Sequence, residues 1–228
     1  MPLLALQKVA ERLWCLNSHF ISMGCKGSLR MTVIETANGL VIYSPVALSS
    51  GNIAQVNSLG EVTAIIAPNL YHHMFLRACS RHFPSARLLI PSGLQEKIGH
   101  IANTEIIEQT TTIADQGQID HFVFTGHRIR ETILFHRPSA TLITADLLYN
   151  YSTEQFLAER LWFRMIGCYG SPKTPFYHRF SIEDRNSVQA LIETVTQWQP
   201  ARIVMSHGSI FTGEAAAEVF ARAWTRLA

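Results

Sequence analysis

Few features of this chain point to a role at once, and what is scarce already narrows the field. Its 228 residues include four cysteines, Cys15, Cys25, Cys79 and Cys168, far apart and without a Cys-x-x-Cys pair. That spacing excludes a zinc knuckle or a disulfide scaffold and suits reduced, buried thiols. Charge is sparse and nearly balanced: 19 Lys plus Arg against 17 Asp plus Glu leave a formal +2, too weak a bias to draw in nucleic acid or an anionic membrane. No run reaches the ~18 apolar residues of a membrane span. Lys8, Glu11 and Arg12 stand where a secretion signal keeps its apolar core, so a cytoplasmic protein is expected. There is no Gly-x-Ser-x-Gly elbow for a serine nucleophile, no low-complexity stretch and no internal linker. With 47% hydrophobic residues, the chain has enough apolar material for one domain over 1–228.

Short runs rich in β-branched residues fill the first two thirds. Residues 31–36, 40–45, 62–68, 87–91, 121–126, 131–137 and 141–146 read as strands, most of them closed by Gly, Pro, Asn or Asp. Ala37-Asn38-Gly39 marks a tight hairpin, because Asn and Gly accept the positive φ that such turns need. Pro138-Ser139 punctuates a second hairpin. Helices are expected at about 74–82 and 93–101. From Ile182, Val188, Leu191, Ile192, Val195 and Trp198 recur at helical spacing behind an N-cap in 181–184. Ala216, Phe220, Ala223, Trp224 and Leu227 form a closing helical stripe, and 202–206 reads as a buried strand between the two. Paired strands followed by interleaved helices imply a layered α/β or α+β domain. Residues 149–180 differ in being crowded with aromatics, among them Tyr149, Tyr151, Trp162, Phe163 and Tyr177. They read as a helix at 153–166 plus a core-covering loop, as a substrate-facing lid, or as a surface for homodimerisation.

Histidine is the unusual count, at ten. His19, His82, His100, His121 and His178 read as ordinary solvated or hydrogen-bonded residues. The others fall with Asp146 at strand ends, where loops converge on the rim of an α/β sheet. Asn69-Leu70-Tyr71-His72-His73 follows one strand, His127 another, Asp146 closes a third and His207-Gly208 a fourth.

In this order the elements resemble the metallo-β-lactamase superfamily of metallo-hydrolases. Thr125-Gly126-His127, with Asp146 nineteen residues later, is similar to that superfamily's Gly-His and bridging-aspartate elements, and Met205-Ser206-His207-Gly208 to its terminal histidine. The hairpin over 31–45 resembles the first hairpin of the fold, and the likeness runs over nearly the whole chain. The first motif departs from the pattern: Asn69 and Tyr71 stand where the first two histidines belong, and His72-His73 near the Asp-His pair, with a one-residue slip left open. Plain hairpin geometry around Pro138-Ser139 sets Glu131, not His127, beside Asp146, so His127 reaches the site only if the chain folds back. Ser44-Pro45, the Asn-x-x-His-His step and Asp146-Leu147-Leu148 resemble an uncharacterised branch known by a domain-of-unknown-function label.

The resemblance implies a four-layer αββα sandwich and a metal-dependent hydrolase of a small ester, thioester, lactone or phosphoester. Its ligands would be His72, His73, His127, Asp146 and His207, with Asp146 and His73 catalytic and a metal-bound water as nucleophile. One ion, Zn²⁺ or iron, is expected, because Asn69 and Tyr71 are poor ligands for a second. His136 could orient Asp146, replace His127 as a ligand, or merely flank a turn. Arg137, Lys173 and Arg179 are either solvated or a source of positive charge for an anionic substrate. The competing reading is a non-catalytic binding protein that keeps the fold. A di-iron redox role is weaker, because the first cluster offers no carboxylate.

Overall fold

β-Branched and aromatic residues build two sheets in the computed structural model, which describes residues 5–22, 25–114, 117–151 and 157–227. The first sheet runs in sequence order through β1 (Gln7–Ala10), β2 (Leu13–Ser22), β3 (Cys25–Thr36), β4 (Gly39–Tyr43), β5 (Val62–Ile66), β6 (Arg87–Ile90) and β7 (Thr104–Ile106). It is antiparallel up to β4 and parallel from β4 onward. The second comprises β8 (Ile119–Phe124), β9 (Glu131–His136), β10 (Thr141–Asn150), β11 (Arg202–Gly208) and β12 (Phe211–Thr212). Its spatial order is β12-β11-β10-β9-β8, with only the β10–β11 pairing parallel. Both expected hairpins are present, since Thr36 pairs with Gly39 and Thr141 with His136.

Alternation along the strands separates three apolar layers. On β4, Leu40 and Ile42 face one way and Val41 and Tyr43 the other. The first pair packs with Val56 of α1 (Ser50–Leu59), Leu76 and Cys79 of α2 (Leu76–His82) and Leu94 of α3 (Leu94–Ile98). The second meets Leu134, Ile143, Ala145 and Val204 of the other sheet. Beyond that sheet, Val188, Leu191 and Val195 of α5 (Arg185–Trp198) and Phe220 and Trp224 of α6 (Ala216–Thr225) cover Leu142, Ile203 and Met205. The architecture is therefore helix, sheet, sheet, helix.

Several boundaries differ from the sequence expectation. Asp184 itself caps α5, its carboxylate accepting from the amides of Asn186 and Ser187, and no acidic residue occupies the first turn. Strand β2 and helix α1 carry no clear periodic signal. α1 is instead defined by its start, where Ser49 and Asn52 form a reciprocal capping box. Of the expected helix at 153–166, the described part is α4 (Leu157–Met165), and 152–156 lie outside the described residues. Cys15, Cys79 and Cys168 are free and buried, while the Cys25 side chain lies outside the described set. Among the described residues, no helix is long and apolar enough to cross a membrane.

Candidate metal centre

The loop after β5 turns on Asn69, which is fully buried. Its side-chain oxygen accepts from the amides of Tyr71 and His72, both at 2.9 Å, a local turn that Asn favours and that aims the following residue back at the sheets. Its amide group donates to Glu131 Oε2 at 2.8 Å and to Asp146 Oδ2 at 2.9 Å. Backbone bonds from Leu70 to Ile129 and from Thr132 to Pro68 stitch this loop to the start of β9.

Glu131 and Asp146 meet across the β9–β10 hairpin. The buried Glu131 carboxylate is saturated by the Thr144 hydroxyl, the amides of Ala145 and Asp146, and Asn69. Burial, and next the Asp146 charge, push its pKa up. Glu131 thus holds the Asp146 backbone in place and has no oxygen left to offer. Asp146 has the opposite electrostatics. Burial works to raise its pKa, but His72 and His207 hold the carboxyl well below the usual range. Tyr149 donates its hydroxyl to Asp146 Oδ1 at 2.9 Å.

His207 ends the parallel strand beside Asp146. Its Nδ1 lies 2.7 Å from the carbonyl of Ser28. A carbonyl only accepts, so Nδ1 carries a proton, and Nε2 is left 2.8 Å from Asp146 Oδ1. His72 approaches from the other sheet, with Nδ1 2.8 Å from Ser44 Oγ and Nε2 3.2 Å from both His207 Nε2 and Asp146 Oδ2. Burial opposes charging of His72, yet Asp146, with Glu131 behind it, raises its pKa overall. The strand end that presents His207 is clamped by Arg30, whose guanidinium donates to the carbonyls of Met205 and Gly208 and to Asn17 Oδ1. Gly208 is required next to it. Its φ is +84°, and a Cβ there would stand 2.1 Å from the Asn150 carbonyl oxygen.

His72, Asp146 and His207 form the metal-competent group among the described residues. The two Nε2 atoms are 3.2 Å apart, and the Asp146 carboxylate spans them, Oδ2 3.2 Å from that of His72 and Oδ1 2.8 Å from that of His207. A tetrahedral ion with ligand bonds of ~2.0–2.1 Å needs donors about 3.3 Å apart. Two imidazole nitrogens and one carboxylate, turned toward each other with their far sides occupied, therefore suit a single Zn²⁺ or iron ion.

Solved structures share the architecture that carries this group. A metallo-β-lactamase from Pontibacter korlensis superposes with a TM-score of 0.65 at 12% identity, over 97% of this chain and 99% of that one. The chain has the metallo-β-lactamase fold. The FIM-1 metallo-β-lactamase from Pseudomonas aeruginosa, in a mono-zinc form, gives 0.63 at 9% identity over 98% and 95% of the two chains. A metal-soaked Flv1 flavodiiron core from Synechocystis sp. PCC6803 gives 0.66 at 11% identity, covering 99% of this chain and 61% of that one. A domain of unknown function, DUF4336, matches residues 10–95. No curated protein matches the chain in sequence.

Within this metallo-β-lactamase fold the remaining sequence candidates stand apart from the three-residue group. His127 does not fold back to join Asp146, because the chain at 126–128 is engaged by 181–184: Glu183 and Asp184 donate to Gly126 and Arg128 to Ser181. That approach needs Gly126, where a Cβ would lie 2.2 Å from that of Ser187. His127 Nδ1 accepts from the Ile129 amide and Nε2 donates to the His178 carbonyl. Both ring nitrogens are thus engaged by backbone. Its ring stacks between Phe124 and His178, with Trp224 edge-on. His73 is half-buried and outside the three-residue group, and burial, then Lys97, lower its pKa. His136 lies opposite Thr141, five residues along β10 from Asp146, about 16 Å away, so it flanks the turn. Arg137 pairs with Asp120 at 2.7 Å, Lys173 donates to the Tyr169 carbonyl, and Arg179 covers Phe180.

The three candidate ligands open into a cavity of about 550 Å³. Tyr149, Trp162, Phe163, Ile166 and Tyr177 from the aromatic segment wall it, and Tyr71, Met74 and Phe75 face it from the loop after β5. Ser28 and Arg30, which reach His207 and its strand across the gap between the sheets, and Ser44, which meets His72 beside the ends of β4 and β5, carry no signal in sequence spacing.

Proposed function

We propose that the chain is a hydrolase working with one divalent ion held by His72, Asp146 and His207. The observation that carries this reading is the convergence of two Nε2 atoms and a carboxylate at 2.8–3.2 Å, with His207 Nδ1 tied to Ser28. A bound ion of this kind lowers the pKa of water from about 16 toward 7 and polarises a carbonyl or phosphoryl oxygen. The protein's part is to orient the donors. Ser28 and Ser44 fix the two rings, Glu131 and Asn69 fix Asp146, and Tyr149 Oη holds a proton on Asp146 Oδ1. The aromatic segment serves as the wall that keeps bulk water from the reacting bond. A small ester, thioester or lactone fits this site.

Metal analysis of protein purified without chelator tests the reading. About one equivalent of zinc or iron is expected, with both ion and ester hydrolysis lost in Asp146→Ala and His207→Ala. Absence of stoichiometric metal, with both variants unchanged in activity, would end it.

A second reading is a binding protein that keeps the fold without the chemistry. Asn69 favours it, because its amide already occupies an oxygen of Asp146 and one of Glu131. Residues 149–180 would then be the contact surface, in a homodimer or toward another partner. Binding would survive chelator and be lost when Trp162 and Phe163 become Ser.

A further inference from the structure

The charges around the cavity are as informative as the donors at its floor. Among the described lining residues Arg128 is the sole Lys or Arg and Asp146 the sole carboxylate. Arg128 is itself 3.5 Å from Glu183 and largely solvated. Arg137, Lys173 and Arg179, the other cations considered for an anionic substrate, do not line the cavity. An ion held by the three candidate ligands would itself meet charge at the reacting bond, but a phosphate or carboxylate elsewhere on the ligand calls for Arg or Lys groups that replace its water, and the walls supply none besides Arg128. The imidazoles do not make up the deficit. His127 and His178 face the cavity, and burial lowers the pKa of both, that of His178 to about 4, so both are neutral at pH 7.

What the cavity does offer is apolar surface. Trp162, Phe163 and Ile166 line it together with Leu29, Met74 and Phe75, and Tyr151 stacks on Phe163 at 3.5 Å. The apolar surface continues outward. Tyr71 is 62% exposed, Met74 68% and Tyr177 42%, and all three also line the cavity. A soluble surface that keeps large apolar side chains at the mouth of a cavity marks a path for an apolar ligand.

We infer that the substrate carries an extended, uncharged apolar acyl or aryl group beside the bond that reacts, and that this group lies against Trp162, Phe163 and Ile166. The inference rests on the hydrolase reading for the reacting bond and on the cavity alone for the apolar group, so the two can be separated.

The test has a kinetic and a binding arm. With metal-loaded protein, kcat/KM for p-nitrophenyl acetate, butyrate, hexanoate and octanoate is expected to rise up to about fourfold per methylene, and the mono-p-nitrophenyl ester of succinate, whose acyl group ends in a carboxylate, to be turned over at least about tenfold less well than the butyrate. In the second arm, N-octylacetamide, a neutral mimic that is not turned over, is titrated calorimetrically into wild type and into His207→Ala. It is expected to bind both, and to bind about tenfold more weakly after Trp162→Ala or after Met74→Glu, a change at the exposed rim that the fold tolerates. A flat chain-length series, or equal turnover of the succinate ester, overturns the inference while leaving the hydrolase reading intact. If no ester turns over, binding of the amide that is weakened by both variants sustains the apolar site and sinks the hydrolase reading. Absence of amide binding overturns the inference.

Discussion

Two pairs of buried histidines border the same cavity and are built in opposite ways. His72 and His207 each use Nδ1 for an orienting contact, to Ser44 and Ser28, and turn Nε2 toward each other and Asp146. His127 and His178 are stacked face to face at 5.0 Å beside Trp224, and both nitrogens of His127 are engaged by the main chain. Their electrostatics diverge accordingly. Burial lowers His72 as well, but Asp146 outweighs it and leaves His72 raised, whereas burial leaves His127 and His178 lowered. A histidine at a strand end is therefore defined by what its far nitrogen meets: a carboxylate and another imidazole make a candidate ligand set, and peptide groups make a piece of core.

The largest expected effect comes from the pole of the first pair. Asp146→Ala should weaken Zn²⁺ binding at least ~100-fold, beyond what loss of an orienting group costs, as read by competition with a chromophoric chelator. His127→Ala should break the comparison from the other side. It removes two buried hydrogen bonds and a stacked ring, costing about 2 kcal/mol of stability in urea unfolding, with Zn²⁺ affinity unchanged; a loss of affinity matching that of Asp146→Ala would erase the distinction drawn here. Ser44→Ala, which frees the His72 ring without touching a ligand atom, should cost roughly tenfold in Zn²⁺ affinity by the same titration. The smallest effect is one of pH. His136 and His178 are held at about 4 by burial, while an unfolded histidine titrates near 6.5. Between those values the unfolded chain binds protons that the native protein refuses, so stability falls as pH drops. At pH 5.5 this is on the order of 1 kcal/mol per histidine relative to pH 7.5. His72 carries the reverse sign: its contribution is present below the ordinary histidine range and is lost as pH rises through its raised value. Metal-free His178→Gln should accordingly be less acid-sensitive than the parent in urea melts at the two pH values.

Much of the scaffold could be read from local pattern. The turn at 37–39, the β9–β10 hairpin and the stripes of α5 and α6 announce themselves because the apolar periodicity matches the face each buries. β2 and α1 do not. Leu13-Trp14-Cys15-Leu16 alternates poorly, and α1 carries Asn52 and Asn57 in place of a continuous stripe. At the site, Asp146 and His207 were legible because the expected strands 141–146 and 202–206 end at them, although β10 itself runs on to Asn150, and Glu131 because hairpin register alone sets it opposite Asp146. Whether His72 or His73 faces the cavity depends on the Asn69 turn, a side-chain to main-chain arrangement that spacing does not encode. The position of His127 depends on pairing with 181–184, more than fifty residues away, the contributions of Ser28 and Arg30 on how two sheets lie across each other, and that of Ser44 on the loops after β4 and β5 leaving one sheet side by side.

The candidate ligands are divided between the two sheets. His72 belongs to the loop leaving one, and Asp146 and His207 stand on neighbouring strands of the other. Anything gripped by all three would act as a rivet through the sandwich, fastening its halves near the point where Arg30 already bolts them. Occupancy would then be legible far from the rim, as slower amide exchange along the seam between the sheets.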